Sequence, residues 1–314
     1  MTFSLKPATR QGFKPLIGLY AESGCGKTLS SLLLARGLVG PSGKIIMADT
    51  ESGRGSLYAD VVPGGYDTFQ ISAPFAPRVF TDAVDFAEKQ KADVLVIDSA
   101  SHEWEGIGGV LDWATTNESK GMKGRLVWKE PKMEHEKFVQ RLAQSAIPII
   151  VCMRAKHLLK EGKDDQGRKT MTKDPDATPK QAEDFIFGMT AHAEILPDHS
   201  LRMTKISHPT LGLCFPGPKD GPVTIAHGEK LAKWCAKAEL TPKPAPVATP
   251  DHKLLKRQLW DMTRSIHAGN KVYFQQWMWD ENIMALEQTA DTLTADELPG
   301  VIERARRKLN TQTK

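Results

Sequence analysis

The octapeptide Ala21-Glu22-Ser23-Gly24-Cys25-Gly26-Lys27-Thr28 constrains the fold more than any other part of the chain. A short apolar run, residues 15–20, precedes it, and residues 28–36 behind it have a helical composition, so the order is strand, loop, helix. Gly24 and Gly26 let the backbone curl until successive N–H groups point inward, and the helix that follows adds the positive end of its dipole. Such a loop is a cradle for phosphate. It predicts contacts from Glu22, Ser23, Gly24, Cys25, Gly26, Lys27, Thr28 and Leu29, with Lys27 reaching the outer phosphates and the Thr28 hydroxyl ligating Mg²⁺.

Three further apolar runs of strand length lie at residues 44–48, 93–97 and 147–153, separated by stretches of helical spacing at 78–89 and 132–145. Strands alternating with helices predict right-handed crossovers and an α/β fold, with a mainly parallel sheet covered by helices on both faces. In such a sheet, acids at the carboxyl ends of strands face the ligand. Asp98 closes the run Val94-Leu95-Val96-Ile97 and is placed to hold the Mg²⁺ shell. The run Ile45-Ile46-Met47-Ala48 ends in Asp49-Thr50-Glu51. If this strand neighbours the loop's strand, Glu51 stands beside the terminal phosphate, ready to orient or deprotonate water. Asp49 or Glu51 could instead serve only to cap a loop.

After Met153 the pattern changes. Residues 156–180 are polar, carry no clear period and are predicted to form a long loop. Two antiparallel strands are predicted at 189–196 and 200–207, joined by Pro197-Asp198-His199, and a helix at 228–238 closes the main domain. The Pro-rich stretch 241–250 reads as a semi-rigid linker. Helical stretches at 254–266, 272–280 and 295–309 form a small unit with Trp260, Trp277 and Trp279 in its core, and Thr294 and Glu297 at a helix start. The predicted organisation is therefore a main domain over 1–240, a linker over 241–252 and a helical domain over 253–314. Partner docking is one reading of the last, beside a plain packed bundle.

Composition narrows the function classes. Hydrophobic residues at 40% and charged residues at 25% are ordinary for a globular protein, and no run of eighteen apolar residues suggests a spanning helix. The N-terminal residues lack the apolar core of a secretory signal, so a cytoplasmic location is expected. The four cysteines, Cys25, Cys152, Cys214 and Cys235, have no zinc-like spacing and read as reduced buried thiols. His102, Glu103 and Glu105 do not suggest a second metal site. A net charge of +4 permits contact with a polyanion without requiring it.

The loop fits the Walker A pattern with Ala in place of the first Gly. Together with Asp49-Thr50-Glu51, and with the strand ending Asp98-Ser99, it resembles the RecA family of P-loop NTPases. The segments Asp98-Ser99-Ala100-Ser101-His102-Glu103-Trp104-Glu105-Gly106 and Met153-Arg154-Ala155-Lys156 are similar to motifs of small RecA-like ATPases of bacteriophages associated with single-strand annealing and recombination. The likeness spans roughly residues 13–238 and implies an ATP hydrolase with ATP and Mg²⁺ as ligands. It makes Glu51 the water-activating carboxylate and Asp98 the Mg²⁺ acid, and it puts Arg154 or Lys156 at a γ-phosphate sensor position where bacterial RecA carries an amide.

The resemblance also implies oligomers with ATP at subunit interfaces, where Lys205 would reach a neighbour's site. It further implies single-stranded DNA bound by residues 119–132 and 156–180, with Lys120, Lys123, Arg125, Trp128 and Lys129 in the first segment and Lys160, Lys163, Arg168, Lys169 and Lys173 in the second. A motor or loader acting on a protein client, a small-molecule kinase and an ATP-gated scaffold remain alternatives.

Overall fold

A computed structural model of the chain describes residues 12–163, 169–217, 220–236, 252–267, 271–284, 292–294 and 297–312. It divides into two compact units, Met1–Ala238 and Glu239–Lys314. The first runs β1 (Leu16–Ala21), α1 (Lys27–Val39), β2 (Ile45–Asp49), β3 (Asp67–Gln70), α2 (Pro77–Lys89), β4 (Val94–Asp98), α3 (Ser101–Glu105), α4 (Val110–Ser119), α5 (Arg125–Ala143), β5 (Ile149–Lys163), β6 (Lys169–Pro179), β7 (Ala191–Ile195), β8 (Leu201–Ile206) and α6 (Ile225–Ala236). The second holds α7 (His252–Met262), α8 (Arg264–His267), α9 (Lys271–Asp280) and α10 (Leu298–Gln312).

The sheet order is β3-β2-β4-β5-β1-β7-β8, with β6 paired to β5. All pairings are parallel except β5 with β6 and β7 with β8. Every residue of β1, β2, β4 and β7 is buried, because helices cover both faces. Side chains alternate between two cores. Ile17, Leu19, Ile45, Met47, Val94 and Val96 pack with α1 and α6. Leu16, Tyr20, Ile46, Ala48, Leu95 and Ile97 pack with α2 and α5.

The helices on the first face approach very closely. A Cβ on Gly37 of α1 would lie 1.9 Å from the Ile225 carbonyl, and one on Gly228 of α6 would lie 2.2 Å from the Leu34 carbonyl. Only hydrogen at both positions lets the backbones touch.

Several expectations need correction. The strand carrying Asp49 does not neighbour β1, since β4 and β5 lie between them. Within the stretch expected to be a loop, residues 156–163 and 169–179 are strand: β5 continues to Lys163 and pairs antiparallel with β6, from Ala155↔Pro179 to Lys163↔Lys169. β5 pairs with β1 only as far as Arg154 and with β4 only as far as Cys152, so the ribbon beyond lies outside the parallel sheet whose apolar runs the sequence displays.

The predicted segment 119–132 is also mostly helical. Only residues 120–124 connect α4 to α5, and Arg125, Trp128 and Lys129 stand on α5 itself. The helical stretch expected from residue 132 begins earlier, at Arg125, and Pro131 lies inside α5. It removes the N–H that would bond the Val127 carbonyl. Asn117 of α4 replaces that donor, its Nδ2 lying 3.0 Å from Val127 O.

The second unit has its own core of Leu259, Phe274, Met278, Ile283, Leu298, Val301 and Ile302, with Trp260 edge-on to Phe274 at 5.2 Å. Trp277 and Trp279 are partly buried against it. Thr294 donates from its N and Oγ1 to Glu297 Oε2 at 2.8 Å each, ahead of α10. The Pro-rich stretch 241–250 lies outside the described residues. Among these, no helix is long and apolar enough to cross a membrane.

Candidate active site

The loop between β1 and α1 opens at the carboxyl edge of the sheet. Gly24 and Gly26 have φ of 89° and 81°, a left-handed conformation in which a Cβ is disfavoured, and Gly26 is the N-cap of α1. The first amides of α1 therefore face the loop's hollow. His199, in the turn between β7 and β8, steadies the loop by donating from Nδ1 to the Cys25 carbonyl at 2.9 Å.

Strand order brings Asp98 to this loop from β4. Its carboxylate accepts from the Lys27 ammonium on one oxygen and from the Thr28 hydroxyl on the other. Burial pulls the Lys27 ammonium down, but Asp98 beside it outweighs that effect and holds it above its ordinary range. Thr28 and Asp98 thus present two adjacent hard oxygen donors, a set suited to Mg²⁺ completed by substrate phosphates. Among the described residues no group of three His, Cys, Asp or Glu side chains forms a separate metal site.

Glu51 reaches the same place by a different route from the one expected. After β2 the chain bonds across the end of β4: Thr50 N donates to Asp98 O at 2.8 Å, and Ser99 N donates to Thr50 Oγ1 at 2.7 Å. Thr50 Oγ1 also lies 2.6 Å from His102 Nδ1. Asp49 then shapes the turn, with one carboxylate oxygen accepting from Glu51 N at 2.6 Å and the other from Gly55 N at 3.1 Å. The two acids divide their work: Asp49 caps the loop and Glu51 faces the cleft.

Arg154 of β5, opposite Ala21 in register, meets Glu51 there. Its Nε donates to Oε1 at 3.0 Å and its Nη2 to Oε2 at 2.8 Å. Burial pushes the Glu51 carboxyl up, but the bonds and charge of Arg154 outweigh it and hold the group below its usual range.

These groups line one cleft of about 440 Å³. Ala21, Glu22, Ser23, Gly24, Gly26, Lys27, Thr28, Glu51, Asp98 and Arg154 all contribute to its wall. Cys25 is buried in the core beneath the loop, and Leu29 packs partly buried against that core, so neither lines the cleft. Arg54, Gly55, Leu57 and Tyr58, on the 3₁₀ turn after Glu51, form a wall the sequence did not reveal, and Lys180 enters from the end of β6. The only hint in the sequence was their closeness to Glu51, and for Lys180 there was none. Lys156 is exposed and is not part of the lining. Lys205 turns onto its own unit, donating to the carbonyls of Ile186 and Phe187 at 2.9 and 2.5 Å.

Of the basic positions expected to meet nucleic acid, Lys120, Lys123, Arg125 and Lys129 are exposed around the α4–α5 connection, with Trp128 beside them 37% exposed. Arg168 lies outside the described residues, as do the side chains of Lys160, Lys163, Lys169 and Lys173.

Residues 14–186, more than half of the chain, match a protein-family model described as an AAA domain. Among curated proteins, none matches the chain. Among solved structures, the chain is similar to a prototypical ATPase from the type III secretion system of pathogenic bacteria. That similarity has 11% identity and a TM-score of 0.37, and it covers 93% of this chain and 79% of the other. A likeness so distant carries no argument about function.

Proposed function

The chain belongs to the AAA domain family, and from that premise we propose that it is a Mg²⁺-dependent ATP hydrolase whose activity is coupled to single-stranded DNA. One observation carries the hydrolase reading: Lys27, Thr28, Asp98 and Glu51, drawn from three separate strand ends, converge on a single cleft walled by a glycine loop and a helix N-terminus. The loop amides and Lys27 hold the phosphates. Thr28 and Asp98 hold Mg²⁺, which when bound neutralises charge on the phosphate oxygens. Leu57 and Tyr58 offer an apolar wall to the rest of the nucleotide.

Glu51 orients the attacking water and takes its proton as the oxygen bonds to the γ-phosphorus. The bond to the β–γ bridging oxygen breaks, releasing ADP and phosphate. Lys27→Ala is expected to abolish ATP binding and turnover, whereas Glu51→Gln is expected to bind ATP without cleaving it. Normal turnover by the Glu51 variant would sink this assignment. Detection of a phosphorylated small molecule in place of free phosphate would replace hydrolysis with a kinase reading.

The DNA reading is supported by charge. Residues 119–132 carry Lys120, Lys123, Arg125, Lys129 and Lys132 against one carboxylate, Glu130, and Trp128 stands among them for base stacking. The role in phage-type recombination, annealing or repair follows from this reading together with the RecA resemblance. Salt-sensitive binding to single-stranded DNA, weakened by Lys123→Ala with Lys129→Ala, is the expected result; no binding at low salt counts against it.

A second reading, a protein client or self-association, is favoured by Phe187, Ile206 and Leu213, which are 73%, 41% and 74% exposed near the edge strand β8. Size-exclusion chromatography with Mg²⁺ and ATP tests for an oligomer with nucleotide at its interfaces.

A further inference from the structure

Lys180 belongs neither to the phosphate loop nor to an apolar strand, yet it lines the same cleft as Lys27, Glu51 and Arg154. In the antiparallel ribbon it follows the Ala155↔Pro179 pair, and its N donates to Arg154 O at 2.7 Å, so it stands opposite Arg154 across the two strands. Like charges at opposed positions repel one another. Each is balanced here by its own acid, Arg154 by Glu51 and Lys180 by Glu105, whose Oε1 lies 3.1 Å from the ammonium. Two opposed cations maintained against their repulsion, on the wall of a phosphate site, point to a polyanion that takes up both charges.

The root of the Lys180 side chain is fixed on either side. Its N is bonded to β5, and the next residue, Gln181, is buried and donates from Nε2 to Ala100 O at 3.0 Å and to Glu103 Oε2 at 3.1 Å. The ammonium is held far more lightly. Lys180 and Glu105 side chains are 33% and 29% exposed, and partly exposed ion pairs of this kind contribute little, so a phosphate oxygen can replace the carboxylate at small cost. A cation on a rigid root, tethered by one weak partner, suits the stabilisation of charge that develops during a reaction.

We propose that Lys180 is a catalytic residue acting in cis: its ammonium exchanges Glu105 for the phosphoryl group in transfer, so that a single chain completes its own cleft. This rests on the hydrolase reading of that cleft. As the water oxygen bonds to the γ-phosphorus and Glu51 takes its proton, the bridging oxygen leaves with the electron pair on ADP, and Lys180 neutralises charge spread over the transferred group. The RecA resemblance would bring such a charge from a neighbour through Lys205. Here Lys205 is engaged with the Ile186 and Phe187 carbonyls of its own unit, and the ribbon delivers Lys180 instead.

Turnover, ADP binding and binding of ADP with fluoroaluminate, a mimic of the phosphoryl group in transfer, are measured with Mg²⁺ on the full chain and on Lys180→Met, which keeps the aliphatic stem and removes the charge. The variant should lose about a hundredfold in kcat and a similar factor in affinity for the fluoroaluminate complex, with ADP affinity unchanged and Lys180→Arg recovering part of the loss. Complementation separates cis from trans. Lys27→Ala and Lys180→Met chains are co-expressed and purified together, and no gain in turnover is expected, because neither chain holds both cations.

A Lys180→Met kcat within about twofold of the unaltered protein overturns the proposal, as does an equal loss of affinity for ADP and for its fluoroaluminate complex. Turnover restored in the co-expressed pair overturns it too, by making the cation a neighbour's. If the unaltered protein binds no nucleotide, the hydrolase reading itself falls, an outcome distinct from failure of Lys180.

Discussion

The substitution of a side-chain amide for a missing backbone donor in α5 can be tested quantitatively. Pro131 cannot bond the Val127 carbonyl, and Asn117 does so from the neighbouring helix at 3.0 Å. Asn117 and Val127 are 3% and 7% exposed, so water does not readily replace the amide. Asn117→Ala should destabilise the unit by about 1–3 kcal/mol, the usual penalty for stranding a buried polar group. In a Pro131→Ala background the new Ala N–H can reach Val127 O as the ordinary helical donor, so the same Asn117→Ala change should cost less. The expected coupling is about 1–2 kcal/mol. Urea unfolding of the four proteins, followed by far-ultraviolet circular dichroism, measures it. An Asn117→Ala cost that is the same in both backgrounds would refute the reasoning, because the amide would then be doing something other than replacing the proline's missing donor.

Three further outcomes are expected. His192 is buried, and chiefly this burial, helped by the charge of Lys205, pulls its imidazole down to about 4. Between pH 6.5 and 4 the unfolded chain binds a proton that the folded one refuses, so stability should fall by up to about 3 kcal/mol as pH drops through that window and stay flat above it. His192→Gln should flatten the slope in denaturation curves taken at several pH values. Gly228→Ala should lower the melting temperature, since overpacking the α1–α6 contact costs about 1–3 kcal/mol and exceeds the roughly 1 kcal/mol gained from helix propensity; an unchanged or raised melting point would contradict the packing described. Chelating Mg²⁺ should stop phosphate release, with turnover restored on adding the ion back, and persistence of activity in excess chelator would remove Thr28 and Asp98 from their proposed role.

What could be read from the sequence followed burial. β1, β2 and β4 sit under helices on both faces, so their residues are continuously apolar and the acids that break the runs, Asp49 and Asp98, mark strand ends. The glycines of the phosphate loop were legible because a positive φ restricts the residue type. Pairing order left no such trace: nothing in the apolar runs says that β5 inserts between β1 and β4. The short edge strand β3 is largely exposed, so it has no apolar run to read, and the ribbon of β5 and β6 extends beyond the parallel sheet that produces such runs. The start of α5 seven residues before the expected stretch, with Pro131 inside it, depends on Asn117, a compensation from another helix that only the folded structure displays. Arg154 was visible as a basic residue at a strand end, but its embrace of Glu51 joins positions far apart in the chain.

The contact between Gly37 and Gly228 bears on the order in which the protein can be built. The helix that carries Lys27 is translated nearly two hundred residues before its backbone-to-backbone companion. Until α6 emerges, the side of α1 bearing Leu34 and Gly37 lacks its cover, and a nascent chain stalled after β8 would carry a phosphate loop on an unbraced helix. Chaperone dependence and sensitivity to C-terminal truncation should therefore concentrate on the last stretch of the first unit, far along the chain from the residues that handle nucleotide.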